Sequence, residues 1–186
     1  MIIAIRHGKT DWNAKETGGQ AEILRGNIDV PLNAQGEQDV LEAAHELCQF
    51  PVVEVRSTPA YQRAKQTRHI IAQVCGVPEV DAPEFAPWDP GELSGKPIAA
   101  IAAILELLID VPIIPAPNGQ AFGDYFQNFR DSFHKVYAEY GGDDSRAVVL
   151  VLFGNEFRAL PAVTEGKPID KYATQKVHPG EYVVIH

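Results

Sequence analysis

The densest apolar stretches are short and separated by patterned segments, which is how strands and helices alternate in an α/β chain. Residues 1–6 are rich in isoleucine with only weak alternation, the signature of a buried strand. Pro51 to Arg56 predicts a second buried strand, Ala147 to Phe153 a third, and Tyr182 to Ile185 a last one that closes the chain. Between them, Val40, Ala44 and Leu47 fall on one face of a helix running from Ala34 to Cys48, with Asn33 as its cap. Ser57-Thr58-Pro59 supplies a cap and a first-turn proline for a helix that reaches Cys75. Residues 76–97 hold five prolines, Pro78 to Pro97, and read as loop. An apolar helix follows from Ile98 to Ile109. Pro112, Pro115 and Pro117 break it, and Asn118-Gly119 marks a turn. Phe122, Phe126, Phe129 and Phe133 then recur at helical spacing towards Tyr140, as a core-facing stripe does. Another helix starts near Glu156.

Strands alternating with helices imply a mainly parallel sheet covered on both faces. Ligands bind beyond the carboxyl ends of such strands. The residues to weigh are therefore those following the first, second and third strands. Residues 11–33, with Gly18-Gly19, Gly26 and Pro31, form a long loop, and a loop of that length in a compact domain is usually functional.

Composition narrows the function. A chain of 186 residues with 45% hydrophobic and 22% charged residues is an ordinary globular domain. The expected organisation is one domain over 1–186, with a small cap contributed by about 84–118. The net charge of −9 argues against nucleic acid as a partner but leaves room for a small anion held by a few converging arginines. The 98–109 run is broken by Glu106 and is too short for a bilayer, and no secretory signal is visible. These features predict a cytoplasmic protein that binds no membrane. The same apolar run makes a homodimer a candidate assembly. Cys48 and Cys75 have no metal-type spacing and read as thiols rather than as a disulfide.

Chemistry concentrates in two stretches. After the first strand comes Arg6-His7-Gly8-Lys9-Thr10-Asp11-Trp12-Asn13; after the second comes Ser57-Thr58-Pro59-Ala60-Tyr61-Gln62-Arg63-Ala64-Lys65-Gln66-Thr67. These resemble the signatures of the histidine phosphatase superfamily, the group containing phosphoglycerate mutases and acid phosphatases. Arg25 to Gly36 resembles the substrate loop of that family and the helix start behind it. The resemblance implies a three-layer sandwich of the phosphoglycerate mutase kind. It also implies a phosphohistidine formed on His7, with Arg6 and Arg63 on the phosphoryl oxygens. Thr10, Asn13, Arg25 and Gly26 would meet the substrate, a small phosphorylated molecule. Neither metal nor cofactor is required. The residue types suit such chemistry, since neutral imidazole is a nucleophile and planar guanidinium forks match phosphate geometry.

Two departures stand out. The family follows its third such strand with a second histidine, where this chain has Phe153, followed by Gly154 and Asn155. The position expected for a glutamate acid carries Pro87, which leaves Asp89 as the candidate substitute, with Glu84 and Glu92 weaker, and Asn155 as a candidate extra donor to phosphate. One lost charge-stabilising donor costs about 10²–10³ in rate and a lost general acid about 10²–10⁴. Two readings follow: a slow or selective phosphomonoesterase, or a catalytically retired phosphate-binding module serving as sensor, scaffold or regulatory subunit.

Overall fold

The computed structural model describes residues 1–13, 22–167 and 177–186 of the chain. Strand β1 (Ile2–Arg6) pairs in parallel with β4 (Ala147–Leu152), from Ile2 opposite Val148 to Arg6 opposite Leu152. On the far side of β4 lie β2 (Val52–Ser57) and then β3 (Glu79–Asp81), both parallel. β5 (Tyr182–Ile185) runs antiparallel along the other flank of β1. The order is β3-β2-β4-β1-β5. β1 and β4 are aliphatic at nearly every position because both of their faces are covered. Ile3, Ile5, Val149 and Val151 pack under α1 (Ala34–Leu47) and α2 (Gln62–Cys75). The alternate residues Ile2, Ala4, Val148, Leu150 and Leu152 pack under α4 (Phe122–Tyr140) and α5 (Gly154–Glu165). The expected α/β sandwich of three layers is what forms. The aromatic stripe of α4 is core, with Phe122, Phe129 and Phe133 buried.

A third apolar cluster lies beyond the carboxyl ends of the strands. Trp88 and Leu93 join Ile101 and Leu108 of α3 (Ile98–Asp110) and Phe122 and Tyr125 of α4, with Leu24 packed against them. Only one side of α3 takes part. Ile104 and Leu107 face outward, and Ile113 is 84% exposed. Among the described residues, no helix is long and apolar enough to cross a membrane.

Four sequence expectations need correction. Asn33 does cap α1, accepting the Gly36 N–H at 2.8 Å, but α2 begins at Gln62 rather than at Pro59. Its cap comes from elsewhere: the Asp29 carboxylate accepts the Gln62 N–H at 2.7 Å. β2 is half-buried rather than buried, with Val53 40% exposed. Within the stretch read as loop, 76–97, lie β3 and two 3₁₀ turns, Pro83–Phe85 and Gly91–Leu93. β3 holds although it is short and acidic, because Arg68 reaches it from α2 and binds Glu79, the Val80 carbonyl and Asp81 at 2.6–3.0 Å.

Finally, Cys48 and Cys75 form a disulfide, not a pair of thiols. α1 and α2 pack side by side on one sheet face, and each cysteine stands at the end of its helix, with the two Cα atoms 5.1 Å apart. Such bridges persist chiefly in oxidising surroundings.

Candidate active site

The parallel run of β1, β4 and β2 brings three chain turns to one end of the sheet. β1 delivers Arg6 and His7, and the His7 N–H still bonds the Leu152 carbonyl of β4 at 3.1 Å. Gly8 then lets the turn press onto α1. A Cβ there would lie 2.7 Å from the Gly36 carbonyl oxygen and 2.8 Å from Val40. His7 is buried, with 1% of its surface exposed. Its Nδ1 lies 2.8 Å from the Gly8 carbonyl oxygen, which can only accept, so Nδ1 carries the proton and Nε2 the lone pair. Burial holds the imidazole well below its ordinary pKa of 6.5, and the charges of Arg25, Arg63 and Arg6 push the same way. His7 is neutral at pH 7.

Three guanidiniums surround it. Arg63, buried at the start of α2, donates to the Ile28 carbonyl at 2.9 Å and the Gly26 carbonyl at 3.1 Å, so it grips the loop while facing the site. Arg6 reaches the Val177 carbonyl at 2.5 Å. Arg25 donates to the Thr10 hydroxyl at 3.3 Å. Burial lowers Arg25 to a pKa of about 9, with Arg6 and Arg63 adding to the effect, and lowers Arg63 to about 10. Both stay charged at neutral pH. Packing like charges together in a desolvated place is unfavourable, and an anion joining them would offset that cost. Gly26, at φ +51°, brings the loop against Pro90 and Ser94.

A cavity of about 130 Å³ opens over this floor, lined by Arg6, His7, Arg25, Gly26, Arg63 and Asn155 from the predicted set. Thr10 and Asn13 are not part of its lining. Asn13 Oδ1 accepts from the Thr10 N–H at 2.8 Å and from its hydroxyl at 3.0 Å, so the pair braces the turn that follows His7. Pro87 lines the cavity, but Asp89 does not. Asp89 accepts from Asn27 at 3.0 Å and from the Gly91 N–H at 2.8 Å, and so fastens the loop to the 90–94 turn. Gly18-Gly19 lies outside the described residues. Those residues contain no group of three or more His, Cys, Asp or Glu placed to hold a metal ion.

Phe153 stands between β4 and α5, nearly buried. Its ring centroid is 5.3 Å from that of His7 and 5.8 Å from that of Tyr61, and the Arg63 guanidinium sits 5.0 Å over it. Its N–H donates to Glu156 Oε2 at 3.2 Å. A phenyl ring accepts nothing in return, so only the glutamate half of a capping box exists.

Sequence reasoning missed Glu156, Glu22 and Arg158. Glu156 sits at the third position of α5, where the spacing of a helix cap signals it. It is fully enclosed, with the Tyr125 hydroxyl beside it and its Oε1 without a well-formed hydrogen bond. Burial raises its pKa from 4.5 to about 7, against the opposing pull of Tyr125, the backbone N–H groups and Arg63. Between pH 4.5 and 7 the folded protein therefore holds a proton that the unfolded chain has released. The folded state accordingly loses about 3 kcal/mol of stability as pH rises through that window. Glu156→Gln removes the titration and keeps an acceptor for the Phe153 N–H. In urea unfolding, the stability of this variant relative to wild type is expected to be about 2–3 kcal/mol higher at pH 8 than at pH 4.5. An equal difference at both pH values contradicts the assignment.

Residues 2–186 match the family model of the histidine phosphatase superfamily (branch 1), and the chain belongs to that superfamily. It is 26% identical over 177 residues to the uncharacterized phosphatase PhoE of Bacillus subtilis (strain 168), a match spanning 95% of this chain and 83% of PhoE. Over a shorter stretch of 76 residues it is 33% identical to the probable phosphoglycerate mutase GpmB of Escherichia coli (strain K12 / DH10B), covering 41% of this chain and 32% of GpmB. Among solved structures, it resembles a mycobacterial glucosyl-3-phosphoglycerate phosphatase with a TM-score of 0.79 at 21% identity, over 97% of this chain and 87% of the other. Bacillus stearothermophilus YhfR gives a TM-score of 0.77 at 20% identity, over 97% and 88%. At these identities the two structures speak for the fold alone.

Proposed function

We propose that this protein is a phosphomonoester hydrolase that works through a phosphohistidine on His7. The observation that carries this reading is a buried, neutral imidazole whose Nδ1 is held by the Gly8 carbonyl, leaving Nε2 unprotonated in a cavity lined by four arginines, Arg6, Arg25, Arg63 and Arg158. Membership of a superfamily whose relatives are named as phosphatases and mutases supports it. In the first step Nε2 attacks phosphorus, the P–N bond forms, and the ester P–O bond breaks to release the alcohol. In the second, water attacks phosphorus and the P–N bond breaks to release phosphate. Arg6, Arg25 and Arg63 hold the equatorial oxygens, where the developing charge needs fixed donors. Asn155, at the start of α5, is the further donor, and Gly26 shapes the loop that closes on the substrate. Phe153 stands where the family places its second histidine, so turnover is slow for the class.

On this reading 1–186 is one catalytic domain, with 84–118 as a small cap and the outward face of α3 as the surface for self-association. No step calls for a metal or a cofactor. The test is a single-turnover reaction with a chromogenic phosphomonoester, quenched in alkali, where phosphohistidine survives, and read by peptide mass spectrometry. The expected result is one phosphoryl group on the peptide carrying His7. Product release with the label elsewhere, or phosphate binding with no turnover at all, overturns the proposal; the latter is the behaviour of a retired binding module.

A further inference from the structure

The proposed reaction leaves the alcohol oxygen without a proton source, because Pro87 has none and Asp89 lies outside the cavity. Another carboxylate is inside it. Glu22 is the one acidic side chain among the described residues that line the cavity containing His7, Arg25 and Arg63. Backbone pairing puts it there. Residues 22–24 pair antiparallel with 95–98. The Leu24 N–H donates to the Lys96 carbonyl at 2.9 Å, the Gly95 N–H to the Leu24 carbonyl at 2.7 Å, and the Ile98 N–H to the Glu22 carbonyl at 2.8 Å. An isolated bridge between Ile23 and Pro97 belongs to the same pairing. In an extended segment alternate side chains share a face. Glu22 and Leu24 accordingly both line the cavity, and Ile23 does not. The Glu22 charge also offsets part of the lowering of the Arg25 pKa.

Resting on the phosphohistidine reading above, we propose that Glu22 is the acid–base residue of this site, moving a proton to the leaving alcohol and back from water. The proton enters with the substrate. A phosphomonoester has its second pKa near about 6, so part of it arrives as the monoanion. When the three guanidiniums bind the phosphate as a dianion, the carboxylate of Glu22 takes that proton. As Nε2 of His7 bonds to phosphorus and the ester P–O bond breaks, Glu22 gives the proton to the departing oxygen and returns to carboxylate. Water then attacks the phosphohistidine, its proton passes to Glu22, and phosphate leaves with that proton. Atoms and charge balance, and no further reactant is needed. The substrates this device serves are esters of ordinary alcohols, whose alkoxides leave badly unless protonated. The small cavity limits the alcohol to a compact one, since sites for larger ligands run to about 300–1,000 Å³.

The experiment compares wild type, Glu22→Gln and Glu22→Asp in the full chain on two substrates: 4-nitrophenyl phosphate, whose phenolate leaves unprotonated, and a small alkyl phosphate. The quantity read is kcat/KM, which covers only the steps through release of the alcohol. Glu22→Gln is expected to lower kcat/KM for the alkyl ester by about 10²–10⁴-fold and to change it less than about 10-fold for the aryl ester. Glu22→Asp should recover part of the alkyl activity. A side chain that merely steadies Arg25 would depress both esters alike, and that outcome overturns the proposal, as does an unchanged alkyl rate in Glu22→Gln. Wild type silent on both esters is a different failure: it removes the phosphohistidine reading itself, and Glu22 with it. Glu22 is only partly buried, and its amide is isosteric, so melting temperatures should agree across the set.

Discussion

Replacing His7 with alanine is expected to lower kcat for a chromogenic phosphomonoester by on the order of 10⁴–10⁶-fold, the range set by losing a covalent nucleophile from a site that keeps its other groups. Alanine also removes a buried ring that contacts Phe153, and truncating a buried side chain of this size costs about 2–4 kcal/mol. The decisive variant is therefore His7→Asn, whose side-chain amide can still donate to the Gly8 carbonyl and fill most of the space. Both variants should retain inorganic phosphate binding, followed by the fluorescence of Trp88 in the cavity wall, because Arg6, Arg25 and Arg63 remain. The pH profile adds an independent check. Since burial first, and the three arginines second, hold the imidazole below 6.5, the nucleophile stays neutral as the pH falls through 6.5. The acid limb of kcat/KM should accordingly lie below that value. A His7→Asn protein keeping a tenth of the wild-type kcat would mean that the phosphoryl group never visits His7.

What is legible in the chain, and what is not, divides along a physical line. β1 and β4 can be read because strands covered on both faces are aliphatic at successive positions, and the site residues directly after β1 come with them. The start of α2 misleads because Pro59 is a good local signal, whereas the group that caps the helix is Asp29, brought from an earlier loop. The disulfide is hidden for a similar reason. The separation of 27 residues says nothing about two helix ends lying together until the helices are packed. β3 is too short to show a period, and Arg68 holds it from another element. Asp89 and Glu22 exchange places on the same principle. Asp89 is near in sequence to the expected acid position, yet its hydrogen bonds turn it to the loop, while pairing with 95–98 carries Glu22 into the cavity. Residues whose position depends on local backbone are readable from a single sequence; residues placed by a partner far along the chain are not.

Phe153→His tests the other half of the site, and the expected result is a gain. An imidazole there begins α5 from the extended backbone that Phe153 already occupies, so the backbone imposes no strain. It offers an N–H, or a positive charge once phosphate is bound, in the cavity wall beside His7. A preorganised donor at developing charge is worth about 10²–10³ in kcat, and that is the increase expected with an aryl phosphate. The new ring also loses contacts with His7 and Tyr61 and stands against the Arg63 charge in place of the phenyl face that now accepts it. Aromatic pairs contribute about 0.5–1.5 kcal/mol each, so the variant should melt a few degrees lower while working faster. The gain must depend on the nucleophile. In the double variant with His7→Asn the rate should fall to that of His7→Asn alone, because a donor to a phosphoryl group has nothing to stabilise when none is transferred. A folded Phe153→His protein no faster than wild type would place Phe153 in the packing around Arg63 and Tyr61, and would overturn the reading that a donor is missing at this position.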